Sequence, residues 1–103
     1  MTKFLSSISF IILSVFSLQA NENSALFDNS NEQYLQENYE QAIVGYLLLE
    51  KEGFCSFNLH FNSGNAYFEL ADWKNAILQY ERALLHQPNS KKAIHNLEIA
   101  ISH

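Results

Sequence analysis

Two stretches of the 103-residue chain carry one pattern of side chains at a spacing of 34 residues. Tyr39, Ala42, Ile43 and Tyr46 recur as Trp73, Ala76, Ile77 and Tyr80, and Phe27, Asn31 and Tyr34 recur as Phe61, Asn65 and Phe68. A repeat of this length made of helical sequence cannot bury its apolar face alone, so neighbouring copies must stack. The spacing therefore predicts an all-α chain of stacked helical hairpins, a form that binds more readily than it catalyses.

The helical period sets the elements. Apolar Leu26, Phe27, Tyr34 and Leu35 give a first helix over Ala25 to Gln36, with Asn21 to Ser24 loosely attached before it. Ala42, Ile43, Tyr46, Leu47 and Leu49 give a second helix over Tyr39 to Glu52, stopped by Gly53 and joined to the first by a left-handed turn at Asn38. A second hairpin follows, Phe57 to Leu70 and Trp73 to His86, with Asp72 as N-cap and Pro88 as terminator. After a cap at Asn89 or Ser90, Ala93, Ile94, Leu97, Ile99, Ala100 and Ile101 make a last apolar helix that closes the uncovered face of the stack. Nothing reads as strand.

The N-terminal segment has another character. Lys3 precedes a 15-residue apolar run, Phe4 to Leu18, that contains five serines and leads to Leu18-Gln19-Ala20. The run is short of the roughly 20 mostly apolar residues that cross a bilayer, and its layout is that of a secretory signal peptide. The expected division is a signal peptide over 1–20 and a repeat domain over 21–103, with export to the periplasm of a Gram-negative bacterium. A retained N-terminal anchor is the alternative. Without residues 1–20, eleven Asp and Glu face five Lys and Arg, a net charge of −6. Such a balance, with no basic stripe, argues against nucleic acid. The single cysteine, Cys55, permits no internal disulfide and is expected to pack as a small apolar residue.

The segment Phe57 to Pro88 resembles a tetratricopeptide repeat. With Phe57 as the first position, Gly64, Tyr67, Ala76, Tyr80, Ala83 and Pro88 fall on six of the eight signature positions; His60 stands where the pattern has Trp, and Ser63 where it has Leu. The small residues would let helices approach, and the tyrosines would fill the gaps between them. A copy over about 23–56 keeps Ala42 and Tyr46 but has Ser30, Gln33 and Phe54 at other marked positions. The resemblance implies two repeats, about 23–56 and 57–90, and a capping helix over 91–103. The signal, QENYEQAIVGY, GNAYFELADWKNAILQYERAL and NLEIA together are similar to the exported BatE-like tetratricopeptide proteins of bacterial aerotolerance operons.

In that family the first helix of each hairpin lines a concave surface. The resemblance places Phe27, Asn31, Tyr34, Asn58, Phe61, Asn62, Asn65, Phe68, Lys92, His95 and Asn96 on that surface as a peptide-binding groove. Asparagine can donate to and accept from a peptide backbone, and aromatic rings hold apolar side chains at low entropic cost. The competing account makes the phenylalanines packing residues and the asparagines solvated. The family's carboxylate clamp is matched at Asn31, Asn62 and Lys92 only, with Phe27 and Asn96 in place of two cations. Lys91 and Lys92 in the first turn of the last helix suit either an anion or plain solvation.

No catalytic, metal or cofactor site is expected. His60, His86, His95 and His103 lack one-turn spacing, and Gly45, Gly53 and Gly64 form no phosphate loop. The expected function is a non-enzymatic exported adaptor or assembly factor that binds a protein or peptide. The alternative is a structural subunit that self-associates or docks on a membrane complex through Ile94, Leu97 and Ile101. Membrane contact would arise only through an uncleaved N-terminal segment or such a complex.

Overall fold

The computed structural model describes residues 20–103, which form five helices and no strand. The signal segment, apart from Ala20, lies outside the described residues. Helix α1 covers 20–35, α2 Tyr39–Lys51, α3 Phe57–Glu69, α4 Trp73–His86 and α5 Lys91–Ile101. The order is two antiparallel hairpins followed by one closing helix, with α2 against α3, α3 against α4 and α4 against α5. This is the all-α hairpin solenoid that the 34-residue period predicts. Among the described residues no helix is long and apolar enough to cross a membrane.

Side-chain caps fix three starts. Ser56, Asp72 and Ser90 accept from the backbone N–H groups of Leu59, Asn75 and Ala93 at 3.1, 3.4 and 3.3 Å. Of the two candidates before α5, the cap is thus Ser90. Asn38 precedes α2 without capping it through its side chain, and it does not take the left-handed turn expected of it. That conformation falls one residue earlier, at Glu37 (φ 64°), and again 34 residues on at Ala71 (φ 56°). Asn38 instead donates from Nδ2 to Gln33 Oε1 at 3.0 Å. Gly53, past the end of α2, has φ 94° and open space around it.

Two further expectations are corrected. The polar stretch Asn21 to Ser24 is helical, with Asn23 buried, and Asn23 and Ser24 border a cleft shared with Leu49 of α2 and Leu59 of α3. Cys55 is exposed in the turn between the hairpins, where residues 51–56 all face solvent and offer nothing to pack against.

The core is built from small residues and a few rings. Ala42, Ala66, Ala76, Ala83, Ala93 and Ala100 are fully buried, and Tyr46, Tyr80 and Leu49 are the largest side chains with almost no exposure. Alanines at helix contacts let the backbones approach, and the gaps are filled from the flanking rings. One cluster joins Ala42, Ile43, Tyr46 and Leu49 to Leu59 and Ala66 across the hairpin junction. Two others join α3 and α4 to α5, through Phe57, Ala83 and Ala93, and through Ala76, Tyr80 and Ala100.

Candidate peptide-binding groove

The first helices of successive hairpins are tied together by asparagine. Asn31 Oδ1 accepts from Tyr46 Oη at 2.6 Å and from Asn62 Nδ2 at 2.9 Å. One repeat later, Asn65 Oδ1 accepts from Tyr80 Oη at 2.6 Å and from Asn96 Nδ2 at 3.2 Å. Each rung joins one hairpin's two helices to the first helix of the next element. The phenol O–H satisfies one lone pair of the amide oxygen and the neighbouring amide the other.

The rungs leave half of each amide unused. Among the described residues, Nδ2 of Asn31 and Asn65 and Oδ1 of Asn62 and Asn96 have no hydrogen-bond partner. The four groups alternate donor, acceptor, donor, acceptor along α1, α3 and α5. Asn31, Asn62 and Asn65 line an open cleft of about 250 Å³ together with Tyr34, Leu35 and Tyr46. Burial and the nearby Tyr34 push the Tyr46 phenol up to about 12, and burial pushes Tyr80 in the same direction. Both phenols are therefore fixed donors at neutral pH.

The rings of the expected groove are engaged with the core on one side. Phe27 lies 6.2 Å from the Tyr46 ring, Tyr34 meets Tyr39 edge-on at 5.3 Å, and Phe68 meets Trp73 edge-on at 5.1 Å. Phe61 stacks on Phe57 at 5.3 Å, and Lys92 Nζ lies over both rings, 4.7 Å from Phe61 and 5.4 Å from Phe57. Lys92 is thus held against an aromatic pair, while Asn31 and Asn62 bond to each other. Asn58 and His95 are exposed. The structure brings Asn31, Tyr34, Asn62 and Asn65 together at one cleft and Phe27 and Asn58 at another.

Close approach in the second hairpin falls at Gly64, where a Cβ atom would lie 2.7 Å from the Tyr80 ring. Tyr67 is half-buried, Ala76, Tyr80 and Ala83 are fully buried, and Pro88 is exposed in the turn after α4. In the first hairpin Ser30 stands at the position of Gly64 and the close approach comes from the facing Gly45, where an added Cβ would collide with Ser30 Oγ, which donates to the Leu26 carbonyl at 2.8 Å.

The two departures from the repeat signature are both buried. His60 Nδ1 pairs with Gln79 Oε1 at 2.9 Å, and Gln79 Nε2 donates to Glu50 Oε2 at 3.3 Å, while Arg82 bonds the other Glu50 oxygen. A polar chain thereby links α2, α3 and α4. Ser63 Oγ is buried without a partner.

Comparison with known proteins follows the same boundaries. Residues 57–90 match the tetratricopeptide repeat. No curated protein matches the chain. The tetratricopeptide repeat at α3 and α4 supports a protein–protein interaction module, and the 34-residue spacing of the asparagine rungs extends its geometry back to α1 and α2 and forward to α5. The asparagines are legible in the sequence; their bonds to tyrosine are not stated by spacing alone. The signal was the joint recurrence of Asn31, Tyr46 and Asn62 as Asn65, Tyr80 and Asn96. Leu49, Phe54 and Leu59, which line the second, apolar cleft, carry no such signal.

Proposed function

We propose that the protein is a non-enzymatic adaptor that holds an extended segment of a partner protein along the concave side of α1, α3 and α5. The observation that carries this reading is the row of unpaired amide groups left by the two asparagine rungs. An extended peptide presents N–H and C=O groups in alternation, and an immobile row of donors and acceptors can meet them with little ordering cost. Rungs built on rigid helices also keep the amides in place before binding. Aromatic Phe27, Tyr34, Phe61 and Phe68 provide apolar contact beside them. Export to the periplasm, with cleavage after Ala20, and a place beside the BatE-like proteins of aerotolerance operons complete the proposal; the first rests on the layout of residues 1–20 and the second on the sequence resemblance.

Panning a displayed library of ten-residue peptides on the full chain, then titrating synthetic copies of the enriched peptides, tests the groove. Asn65→Asp keeps the oxygen that accepts from Tyr80 and Asn96 while replacing the outward N–H₂ with a second oxygen. We expect cooperative melting to persist and affinity to fall by about tenfold, the worth of one hydrogen bond to a buried backbone group. Enriched peptides that bind the variant as tightly as the parent would rule the groove out. Export is tested separately, by the mass of the chain recovered from a Gram-negative periplasm, where a retained residue 1 would contradict cleavage.

A second reading is favoured by the outer side of α5, where Ile94 and Ile101 are 36% and 60% exposed, although Leu97, expected on the same face, instead packs inward against Ala76, Tyr80 and Ala100. Docking of that face on another copy or on a membrane complex would cover them. Sedimentation of the purified chain decides: a concentration-independent monomer contradicts self-association.

A further inference from the structure

The apolar cleft between the first turns of α1 and α3 has a filled counterpart in the same molecule. It measures about 300 Å³, is floored by Leu49 and Leu59, and is walled by Asn23, Phe27, Phe54 and Asn58. A shift of 34 residues maps Phe27 to Phe61, Asn23 to Phe57, Leu49 to Ala83, Leu59 to Ala93 and Asn58 to Lys92. At the mapped place Phe57 is buried against Ala83 and Ala93, stacked 5.3 Å from Phe61, with Lys92 closing the top. In the first repeat the phenyl ring is missing. Asn23 stands in its position, and the leucines fill only the floor.

The space left is large enough for a ring. An apolar cavity of about 150 Å³ accommodates benzene, so a cleft of twice that volume takes a phenyl or phenol group with room for the backbone that carries it. The wall is almost wholly apolar, and Phe54 at the rim is 44% exposed. The cleft also lies one helical turn from the first asparagine rung, since Phe27 precedes Asn31 and Asn58 precedes Asn62 by four residues each. A segment whose backbone meets the Asn31 and Asn62 amides and runs on toward the starts of α1 and α3 reaches the level of the cleft.

We propose that this cleft is the specificity pocket of the groove and takes one aromatic side chain, Phe or Tyr, of the bound segment, with its ring against Phe27 as the Phe57 ring lies against Phe61. The proposal rests on the groove reading for the source of the ring. The cleft itself can be probed without a peptide, using p-cresol, the side-chain analogue of tyrosine. Titrated into the isotopically labelled full chain, p-cresol should give saturable shifts at Leu49, Leu59 and Phe27 and leave Ala83 and Ala93 unmoved. Asn23→Phe should fill the cleft, raise the melting temperature and abolish those shifts. Asn58→Trp, at an exposed position on the rim, should obstruct the mouth and does not depend on repacking the interior.

Peptides enriched on the groove should contain a Phe or Tyr whose change to Ala lowers affinity by about 10- to 100-fold, as burial of one aromatic side chain implies. Shifts from p-cresol that are scattered, or that survive both variants, would overturn the pocket. Peptides that bind without regard to an aromatic residue or to Asn23→Phe would overturn it and leave the groove standing. A saturable p-cresol site in a chain that binds no peptide would instead overturn the groove, and with it the peptide source of the ring.

Discussion

At the residue scale, three buried positions have outcomes of known sign. Gly64 faces the rigid ring of Tyr80, so Gly64→Ala overpacks the hairpin by about 1–3 kcal/mol against a helix-propensity gain of about 1 kcal/mol. Chemical denaturation should show a net loss of stability. Ser63 is the opposite case, since its buried hydroxyl has no partner; Ser63→Ala removes an unpaid desolvation and should raise stability by about 1 kcal/mol in the same assay. Tyr46 predicts the pH dependence. Its phenol is pushed up to about 12 in the folded chain, whereas an unfolded tyrosine titrates near 10. Between those values the folded chain holds a proton that the unfolded chain has released. Stability is therefore complete below pH 10 and falls as pH rises toward 12. Phenolate absorbance should lag until the chain unfolds, and Tyr46→Phe should reduce the alkaline slope to the part that Tyr80 supplies.

At the scale of the helix, the sequence pattern located α2 through α5 to within a residue or two, because each begins at a cap or an aromatic and ends where helical spacing stops. The start of α1 was not legible in this way. Asn21 to Ser24 are polar and carry no apolar period, yet they continue α1 toward the N-terminus, with Asn23 buried and the other three exposed. The turn between α1 and α2 differs from the sequence expectation by one residue. Asn38 has the left-handed preference, but the return of the chain places that conformation at Glu37 and Ala71. A non-glycine residue there bears about 1 kcal/mol of strain, so Ala71→Gly should be neutral or raise the melting point slightly, with helical content unchanged. The close contacts were half visible. Gly64 sits where the repeat signature puts it, and Ser30 holds the same position in the first hairpin, but its contact Gly45 corresponds to Gln79, which no signature marks.

At the scale of the whole molecule, two hairpins and a closing helix make a small core of alanines and tyrosines, with stability that depends on how well successive elements stack. The asparagine rungs serve that stacking and, by consuming one half of each amide, fix what the other half presents. This dual use is why the candidate site was only partly legible. Recurrence of Asn31 at Asn65 pointed to the right residues, but their inward bonds to Tyr46 and Tyr80 depend on the crossing of helices that no spacing reveals. The apolar cleft was hidden for a simpler reason, since it is defined by the ring that Asn23 lacks relative to Phe57. The most direct test is the pair of side-chain amide signals of Asn31 and Asn65 in a nuclear magnetic resonance titration with a groove-selected peptide. Both pairs should shift and exchange more slowly with solvent as the peptide saturates. Unmoved asparagine signals, with shifts centred on Ile94 and Ile101 instead, would contradict the groove and favour the α5 face.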